Sequence, residues 1–304
     1  MPPASPPPFR PPASPSPLSH DAVVSALRAA GCVFAEDEAR LILSAAADPG
    51  ELAALVDRRV SGLPLELVVG WAEFAGLRIT VAPGVFVPRR RTEFLVRQAL
   101  AHVPDARVVV DLCCGSGAVG AALAAALDGA ELHAADIDPA AVRCARGNVA
   151  PFGGRVHEGD LFEALPAGLR GRVGILAANV PYVPTGEVPL LPAEAREHEP
   201  LVALDGGPDG LDVLRRVAAE APRWLAPGGC LLIETSERQA PQAMETFTAS
   251  GLSARLLVSD ELYAHVVGGA GGVTAPPPKG GRAGGGGAPR GGQAPPGGGV
   301  GGVA

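Results

Sequence analysis

The chain has 304 residues, 47% of them hydrophobic, and a formal net charge of −7. This length and apolar content suffice for one sizeable α/β domain and a smaller second one. No apolar stretch reaches the roughly 18 residues of a membrane-spanning helix. The acidic balance argues against general duplex binding, which depends on cations that neutralise phosphates.

Both ends of the chain are of low complexity. Residues 1–17 alternate Pro, Ala and Ser without the apolar centre of a signal peptide, so we predict a disordered Pro-rich arm. Residues 268–304 are Gly/Pro-rich and too poor in large apolar groups to order themselves, which predicts a disordered tail. Four basic residues lie in these ends, and without them the remainder carries −11 instead of −7.

The five cysteines are odd in number and show no C-x-x-C spacing. This usage predicts neither a disulfide framework nor a zinc site, and no metal is expected. It favours a reducing, cytoplasmic location.

The ordered part is predicted to begin at residue 18 with a small helical domain, residues 18–70. Apolar spacing and capping residues predict three helices there, over residues 21–30, 35–47 and 50–59. A connecting hairpin and helix follow over residues 71–105. A larger α/β domain then occupies residues 106–267.

The larger domain opens with a strand, a glycine-rich turn and a helix. The predicted strand, residues 106–112, leads into Cys113-Cys114-Gly115-Ser116-Gly117 and an Ala/Leu-rich helical run over residues 118–127. Such a turn lets a ligand approach the backbone closely and presents unpaired helix N–H groups. It therefore predicts a site for a nucleotide-type ligand, with candidate cofactor-binding residues Asp111, Cys113, Gly115 and Gly117.

The identity of that ligand depends on Asp111. Gly115, Gly117 and Gly120 fit a dinucleotide-binding pattern, with Asp136 at the distance of a ribose-binding acid. A carboxylate at Asp111 would repel a pyrophosphate at close range. It suits a ligand that carries an ammonium group, such as the methionine portion of S-adenosylmethionine.

A second unit repeats the strand–turn–helix pattern. Asp136 ends the predicted strand over residues 131–135 and is placed to accept hydrogen bonds from both ribose hydroxyls. Asp138, followed by Pro139, reads as the N-cap of a helix over residues 140–149. We interpret Asp136 as a cofactor ligand and Asp138 as structural.

A third strand, residues 155–158, ends before Asp160-Leu161-Phe162. Asp160 could accept a hydrogen bond from an adenine amino group, and Leu161 or Phe162 could cover the base. A solvated turn residue is the alternative interpretation of Asp160.

The tetrapeptide Asn179-Val180-Pro181-Tyr182 follows a buried strand pattern over residues 173–178. A side-chain carbonyl and fixed backbone carbonyls at this point suit a planar NH₂ group, with a ring alongside. This predicts a receptacle for an amide or an exocyclic amine, with Asn179, Val180, Pro181 and Tyr182 as catalytic residues. An ordinary proline-containing loop is the alternative.

The rest of the domain continues the alternation. Further elements are predicted over residues 211–225 (helix), 226–229 (turn), 230–234 (strand), 239–250 (helix), 254–258 and 262–267 (strands). Seven strands in this order fit a Rossmann-like sheet with an antiparallel last strand.

Together these motifs resemble class I S-adenosylmethionine-dependent methyltransferases, and among them the protein-(glutamine-N5) methyltransferases that modify release factors. The resemblance covers residues 61–267. It depends on the residues above, on Val85-Phe86-Val87-Pro88-Arg89-Arg90-Arg91-Thr92-Glu93, and on Glu199-Pro200, Ala203-Leu204-Asp205-Gly206-Gly207 and Gly210-Leu211.

The resemblance implies methylation of a glutamine side-chain amide nitrogen in a release factor or another translation protein. It implies S-adenosylmethionine as the cofactor, a front unit that helps to hold the protein substrate, and no strong nucleic-acid binding. The substrate-binding residues it implies are Pro88, Arg89, Glu93, Asn179 and Tyr182. Two other functions stay open, an adenine-amino methyltransferase and a non-catalytic binding protein.

The chain departs from the family pattern at three places. Val180 replaces the first proline of Asn-Pro-Pro-Tyr but keeps the backbone carbonyl. Arg90 and Arg91 replace Pro and Asp, which leaves open how closely that loop packs. Cys113 replaces a glycine, so the turn must accept a side chain there. The tail also contains Gly-Gly-Gln, ending at Gln293. The resemblance implies that release factors present this tripeptide to the family, and here we interpret it as coincidence in a glycine-rich tract.

Overall fold

The computed structural model describes residues 18–271 of the chain. The predicted arm, most of the predicted tail and Gln293 lie outside these residues. None of the helices within residues 18–271 is both long and apolar enough to cross a membrane.

The described residues begin with four helices, α1 (His20–Ala29), α2 (Ala35–Ala45), α3 (Pro49–Val60) and α4 (Leu65–Val69). The first and third begin at side-chain caps, because Ser19 accepts from the Ala22 N–H and Asp48 accepts from the N–H groups of Gly50 and Glu51. Their apolar faces form a separate small core, with Val23, Leu27 and Ile42 fully buried. The three predicted helices are confirmed, and the short α4 was not predicted.

A two-stranded hairpin follows, with β1 (Trp71–Phe74) antiparallel to β2 (Leu77–Thr80). Its two-residue turn has Ala75 and Gly76 at positive φ, 49° and 76°, as a hairpin turn matched to strand twist requires. Helix α5 (Glu93–His102) then leads to the large sheet.

The large sheet contains seven strands and confirms the predicted Rossmann-like architecture. They are β3 (Val108–Leu112), β4 (Glu131–Asp136), β5 (Arg155–Glu158), β6 (Val173–Ala178), β7 (Leu225–Thr235), β8 (Leu252–Ser259) and β9 (Ala264–Gly271). Their order is β5-β4-β3-β6-β7-β9-β8, and β9 runs antiparallel to both neighbours. The antiparallel last strand was predicted.

Helices cover both faces of this sheet. They are α6 (Ala118–Ala126), α7 (Pro139–Val149), α10 (Asp212–Glu220) and α11 (Ala240–Ala249), with short helices α8 (Ala193–His198) and α9 (Leu201–Leu204) in the connection after β6. Alternate strand residues face opposite cores. One core contains Val109 with α5 and α6, and the other contains Val110 with α10 and α11.

Two boundaries before the last strand differ from the sequence prediction by more than two residues. The helix predicted over residues 211–225 ends at Glu220, and a short 3-10 turn that contains Pro222 follows it. The turn predicted over residues 226–229 lies inside β7, whose pairing with β6 shifts register between Val173 and Ile175. A Cβ at Gly229 would lie 2.4 Å from the Val173 carbonyl, so this irregularity in the strand requires glycine at that position.

The last strand also runs further than predicted. It continues past Val267 through Gly268-Gly269-Ala270-Gly271, and all four residues pair with β8. The predicted beginning of a disordered tail at residue 268 is therefore wrong for these four residues. A Cβ at Gly269 would lie 2.6 Å from the Phe247 ring, so this strand needs glycine for packing.

Candidate active site

A cavity of about 1630 Å³ opens at the carboxyl ends of the parallel strands. This is where open α/β sheets bind their ligands. Its volume exceeds the roughly 300–1,000 Å³ of a typical small-molecule pocket, which leaves room for two reactants side by side. Asp111, Asp136 and Asp160 line one half, and the 179–182 tetrapeptide lines the other.

The glycine-rich turn after β3 has three residues in the left-handed region. They are Cys113, Gly115 and Gly117, with φ of 54°, 54° and 78°. The Gly115 N–H donates to Asp136 Oδ2 at 2.8 Å, which ties the turn to the end of β4. Cys113 lines the cavity and accepts this backbone conformation despite its side chain.

Asp111 lies at the centre of this half and is 1% exposed. Its Oδ2 accepts a hydrogen bond from the Gly120 N–H at 2.8 Å, in the first turn of α6. Burial raises the pKa of Asp111 to about 7, while the Gly120 N–H opposes the shift and the charge of Asp136 adds to it. A cation bound nearby would favour the ionised form.

Asp136 ends β4 and lines the cavity. Its Oδ1 accepts from the Asp138 N–H at 2.9 Å, and burial raises its pKa although these backbone N–H groups oppose the shift. Asp138 itself caps α7 by accepting from the Ala140 N–H at 2.8 Å. The predicted capping role of Asp138 is confirmed.

The turn after β5 brings Asp160 and Leu161 to the cavity. Asp160 Oδ2 accepts from Arg216 at 2.6 Å, so one of its oxygens is engaged by α10. Leu161 has a left-handed φ of 47°. Phe162 is instead buried against the Trp224 ring, with centroids 5.3 Å apart, and does not reach the cavity. Leu161 is therefore the one of the two that can cover a ligand.

The tetrapeptide directly follows β6. Asn179 is half-buried, and its Nδ2 lies 3.5 Å from Thr92 Oγ1. Within residues 18–271, neither Asn179 Oδ1 nor the Val180 carbonyl accepts a hydrogen bond. The Val180 side chain is 1% exposed and packs into the core beneath the sheet. The chain thus presents two adjacent free acceptors on a loop anchored by the Val180 side chain.

Contacts from distant segments hold this loop in place. The Val183 N–H donates to the Leu204 carbonyl at 2.9 Å, and the Val183 carbonyl accepts from the Gly206 N–H at 2.9 Å. Gln239 Nε2 donates to the Tyr182 carbonyl at 2.9 Å. A Cβ at Gly210 would lie 2.2 Å from that same carbonyl, so the approach requires glycine. The segment quoted for the family resemblance therefore packs directly on the tetrapeptide.

A polar wall, made of Arg91, Glu234 and Tyr182, borders the tetrapeptide. Arg91 Nε donates to Glu234 Oε1 at 2.9 Å, and the same guanidinium donates to the Tyr182 hydroxyl. Burial raises the pKa of Tyr182, as does the charge of Glu234, while Arg91 opposes the shift. Sequence reasoning missed Glu234. A carboxylate at the end of an apolar strand, like Asp136, was the signal that could have found it.

A second ion pair joins the segment before α5 to the loop before α9. Arg89 donates to Glu199 Oε1 at 2.6 Å, and the Val87 N–H donates to the same oxygen at 3.3 Å. Burial raises the pKa of Glu199, and Arg89 opposes the shift. Pro88 and Arg89 line the cavity. Their role in binding the substrate stays a prediction.

Besides Phe162, two of the predicted site residues do not reach the cavity wall. Glu93 Oε1 accepts from the Ala75 N–H at 3.1 Å and so supports the hairpin turn. Gly117 faces α7, where a Cβ would lie 3.0 Å from the Val149 side chain. Both contribute to packing around the site. The other predicted residues all line the one cavity.

Comparison with known proteins gives the family. The methyltransferase small domain matches residues 76–181. A release factor glutamine methyltransferase of Geobacter sulfurreducens is 41% identical over 209 residues, which are 67% of this chain and 72% of the relative. A 4-amino-L-phenylalanine/4-methylamino-L-phenylalanine methyltransferase of Streptomyces pristinaespiralis is 39% identical over 203 residues, 64% of this chain and 70% of the relative.

The fold has a counterpart among solved structures. A methyltransferase from Pyrococcus furiosus superposes with a TM-score of 0.50 at 16% identity, over 65% of this chain and 90% of that one. This likeness concerns the fold alone, whereas the sequence match to the Geobacter sulfurreducens protein extends over most of both chains. The chain belongs to the release factor glutamine methyltransferase family.

Proposed function

We propose that this chain transfers a methyl group from S-adenosylmethionine to the side-chain amide nitrogen of a glutamine in a protein, either a release factor or another translation protein. The family and the geometry around Asn179 support the proposal. The observation that carries it is the pair of free acceptors, Asn179 Oδ1 and the Val180 carbonyl, on a loop fixed by Gln239 and Leu204.

These two acceptors would compensate for the low reactivity of the amide nitrogen. An amide nitrogen is a poor nucleophile because its lone pair is delocalised into the carbonyl. Two acceptors that bind the two N–H groups orient the nitrogen without ionising it. Orientation of this kind can contribute roughly 7–11 kcal/mol to lowering a barrier. The new N–C bond would form as the bond between the methyl group and the donor sulfur breaks, and one of these amide protons would then pass to solvent.

The other half of the cavity fits the methyl donor. Asp111 is placed for an ammonium group, Asp136 for ribose hydroxyls, and Asp160 with Leu161 for a base. When bound, S-adenosylmethionine supplies an electrophilic methyl group on a positively charged sulfur. Tyr182, pinned by Arg91, forms part of the wall that keeps water from the reacting atoms.

An exocyclic amine is the second candidate acceptor. The Streptomyces pristinaespiralis relative is named for methylation of an aromatic amine on an amino acid. The same two acceptors would orient such an NH₂ group. Adenine-amino methylation and donor binding without turnover are not favoured by the relatives, and the acidic charge of the chain also disfavours a nucleic-acid substrate.

Transfer of labelled methyl groups tests the proposal. The full chain is incubated with labelled donor and, separately, release factor, ribosomal protein, 4-amino-L-phenylalanine and nucleic acid. We expect label on a glutamine of a protein. Asn179→Ala should reduce kcat at least 100-fold while S-adenosylhomocysteine binding, measured by calorimetry, stays within about threefold. Label only on the small amine or on nucleic acid, or an unchanged kcat for Asn179→Ala, would refute it.

A further inference from the structure

Two buried glutamates in the cavity each have one paired and one unpaired oxygen. The side chains of Glu199 and Glu234 are both 2% exposed and both line the cavity. Their Oε1 atoms accept from Arg89 and Arg91. Their Oε2 atoms are buried and have no hydrogen-bond partner within residues 18–271. A buried polar atom without a partner is costly, so these two oxygens are poised to accept donors from a ligand.

Glu234 lies beside Asn179. Ala178 pairs with Ile233 across β6 and β7, so the residues that follow, Asn179 and Glu234, are neighbours at the carboxyl ends of these strands. Glu199 lines the same cavity from the connection between α8 and α9. Any segment that places a side chain on Asn179 therefore comes close to a carboxylate.

Other carboxylates of the cavity add negative charge. Glu66, Glu237 and Asp260 line it and form no ion pair within residues 18–271. The three arginines that line the cavity, Arg89, Arg91 and Arg216, are each already paired with a carboxylate. An acidic ligand would face uncompensated repulsion, and a basic one would satisfy both charge and hydrogen bonding.

We propose that this half of the cavity recognises a basic substrate segment, in which the guanidinium or ammonium of a residue beside the methylated glutamine donates to the free oxygens of Glu199 and Glu234. The inference rests on the proposed function and specifies its substrate class. An arginine is the better fit, because its guanidinium presents several N–H donors in a planar fork that matches a carboxylate.

Fluorescent peptides with a central Gly-Gly-Gln test the proposal. One set carries arginine beside this core, one carries citrulline, which has the same shape without the charge, and one carries glutamate. Anisotropy measures their binding to the full chain with S-adenosylhomocysteine present, and methyl transfer is measured separately. We expect the arginine peptides to bind at least tenfold more tightly than the citrulline peptides, and the glutamate peptides to bind most weakly.

Conservative variants assign the effect to the two glutamates. Glu199→Gln and Glu234→Gln should each reduce the preference for arginine over citrulline at least threefold. Glu245→Gln, the same change at an exposed position of α11 away from the cavity, should leave it unchanged. Melting curves confirm that each variant folds. A variant that fails to fold is replaced by Glu237→Gln, at the exposed rim of the same cavity, which should reduce the preference to a smaller extent.

The outcomes separate the two proposals. Equal binding of arginine and citrulline peptides, or a preference that no cavity variant reduces, overturns the inference even if glutamine is methylated. Charge-dependent binding with methylation of no protein or peptide leaves the inference standing and overturns the proposed function.

Discussion

Asp111 accepts a hydrogen bond within the fold, but its burial disfavours the ionised form of the carboxyl group. It accepts from the Gly120 N–H, yet its burial raises its pKa to about 7. The ammonium group of a bound ligand would stabilise the ionised carboxylate and so lower its pKa. The residue is therefore expected to link ligand affinity and stability to pH.

Binding of S-adenosylhomocysteine should weaken as the pH falls below about 7. The ligand ammonium needs the ionised carboxylate, so the dissociation constant should rise by up to about tenfold per pH unit below that value. Calorimetry from pH 5.5 to 8.5 measures it. Asp111→Asn should bind more weakly with little of this pH dependence, and a dependence unchanged in Asp111→Asn would contradict the assignment.

The same group makes a prediction for the ligand-free protein. Because the folded pKa is raised, the stability contribution of Asp111 is fully present below pH 4 and is lost as the pH rises toward 7. Asp111→Asn keeps an acceptor for the Gly120 N–H. The change in melting temperature that it causes should be more favourable at pH 8 than at pH 4. The exposed Asp128→Asn serves as the control and should show no such difference.

Cys113 occupies a conformation that favours glycine, with φ of 54°. We predict that Cys113→Gly is more stable than Cys113→Ala by about 1 kcal/mol, since a Cβ in the left-handed region costs roughly 1–2 kcal/mol. Cys144, inside α7, should show the opposite order, because glycine in a helix is less stable than alanine by about 1 kcal/mol. Urea unfolding of the four variants measures both differences. The same order at both sites would contradict the prediction.

Among the elements, glycine pairs occur in two structural settings that the sequence pattern alone does not distinguish. In Gly228-Gly229 it marks an irregularity within β7, and in Gly268-Gly269 it belongs to a paired strand. The sequence pattern predicts a turn before a strand for the first pair and the beginning of a disordered tail for the second. The difference lies in what surrounds each residue, since Val173 and Phe247 come from distant parts of the chain.

The close approach at Gly269 gives a stability prediction. Gly269→Ala would place a Cβ 2.6 Å from the ring of Phe247, which is itself fully buried and cannot move aside. We expect a loss of about 1–3 kcal/mol from overpacking. Gly268→Ala, whose Cβ would have Leu257 at 3.5 Å as its nearest contact, should be near neutral. Denaturant unfolding measures the stability of both variants. Equal stabilities would contradict the prediction and show that the sheet adjusts to the added Cβ.

The sequence predicts the site residues that lie at strand ends. It does not predict the contacts between residues that are far apart in the chain. Asp111, Asp136, Asp160 and Asn179 each lie near or just after the carboxyl end of a strand, and parallel strands bring such ends to one edge. The contact of Arg91 with Glu234 joins residues 143 apart in sequence. From sequence Arg91 was only a departure from a family pattern, because its partner could not be identified.

At the scale of the whole molecule, the N-terminal helices are tied to the connection that lines the cavity. Arg59 in α3 donates to Glu38 of α2 at 2.6 Å and to Glu194 of α8 at 3.1 Å. Glu194 and the neighbouring Leu191 line the cavity. The helical unit can therefore influence substrate binding through this ion pair.

Removing that ion pair should affect the protein substrate and not the donor. Glu194→Gln leaves the partly buried Arg59–Glu38 pair intact, and we expect KM for the protein substrate to rise by up to about fivefold, the range of an exposed ion pair. Glu197→Gln, on the same helix with the exposed partner Arg196, is the matched control. Steady-state kinetics with S-adenosylhomocysteine calorimetry measures both. An equal effect of the two variants would assign no role to Arg59.

The insertion of β9 between β7 and β8 has a consequence for biosynthesis. The strand that completes the sheet beside Glu234 is synthesised after every other element described above. A nascent chain on the ribosome therefore cannot close its sheet until residue 271 has left the exit tunnel, at about 5–20 residues per second. Until that moment β7 has an unpaired edge, which is open to pairing with another chain.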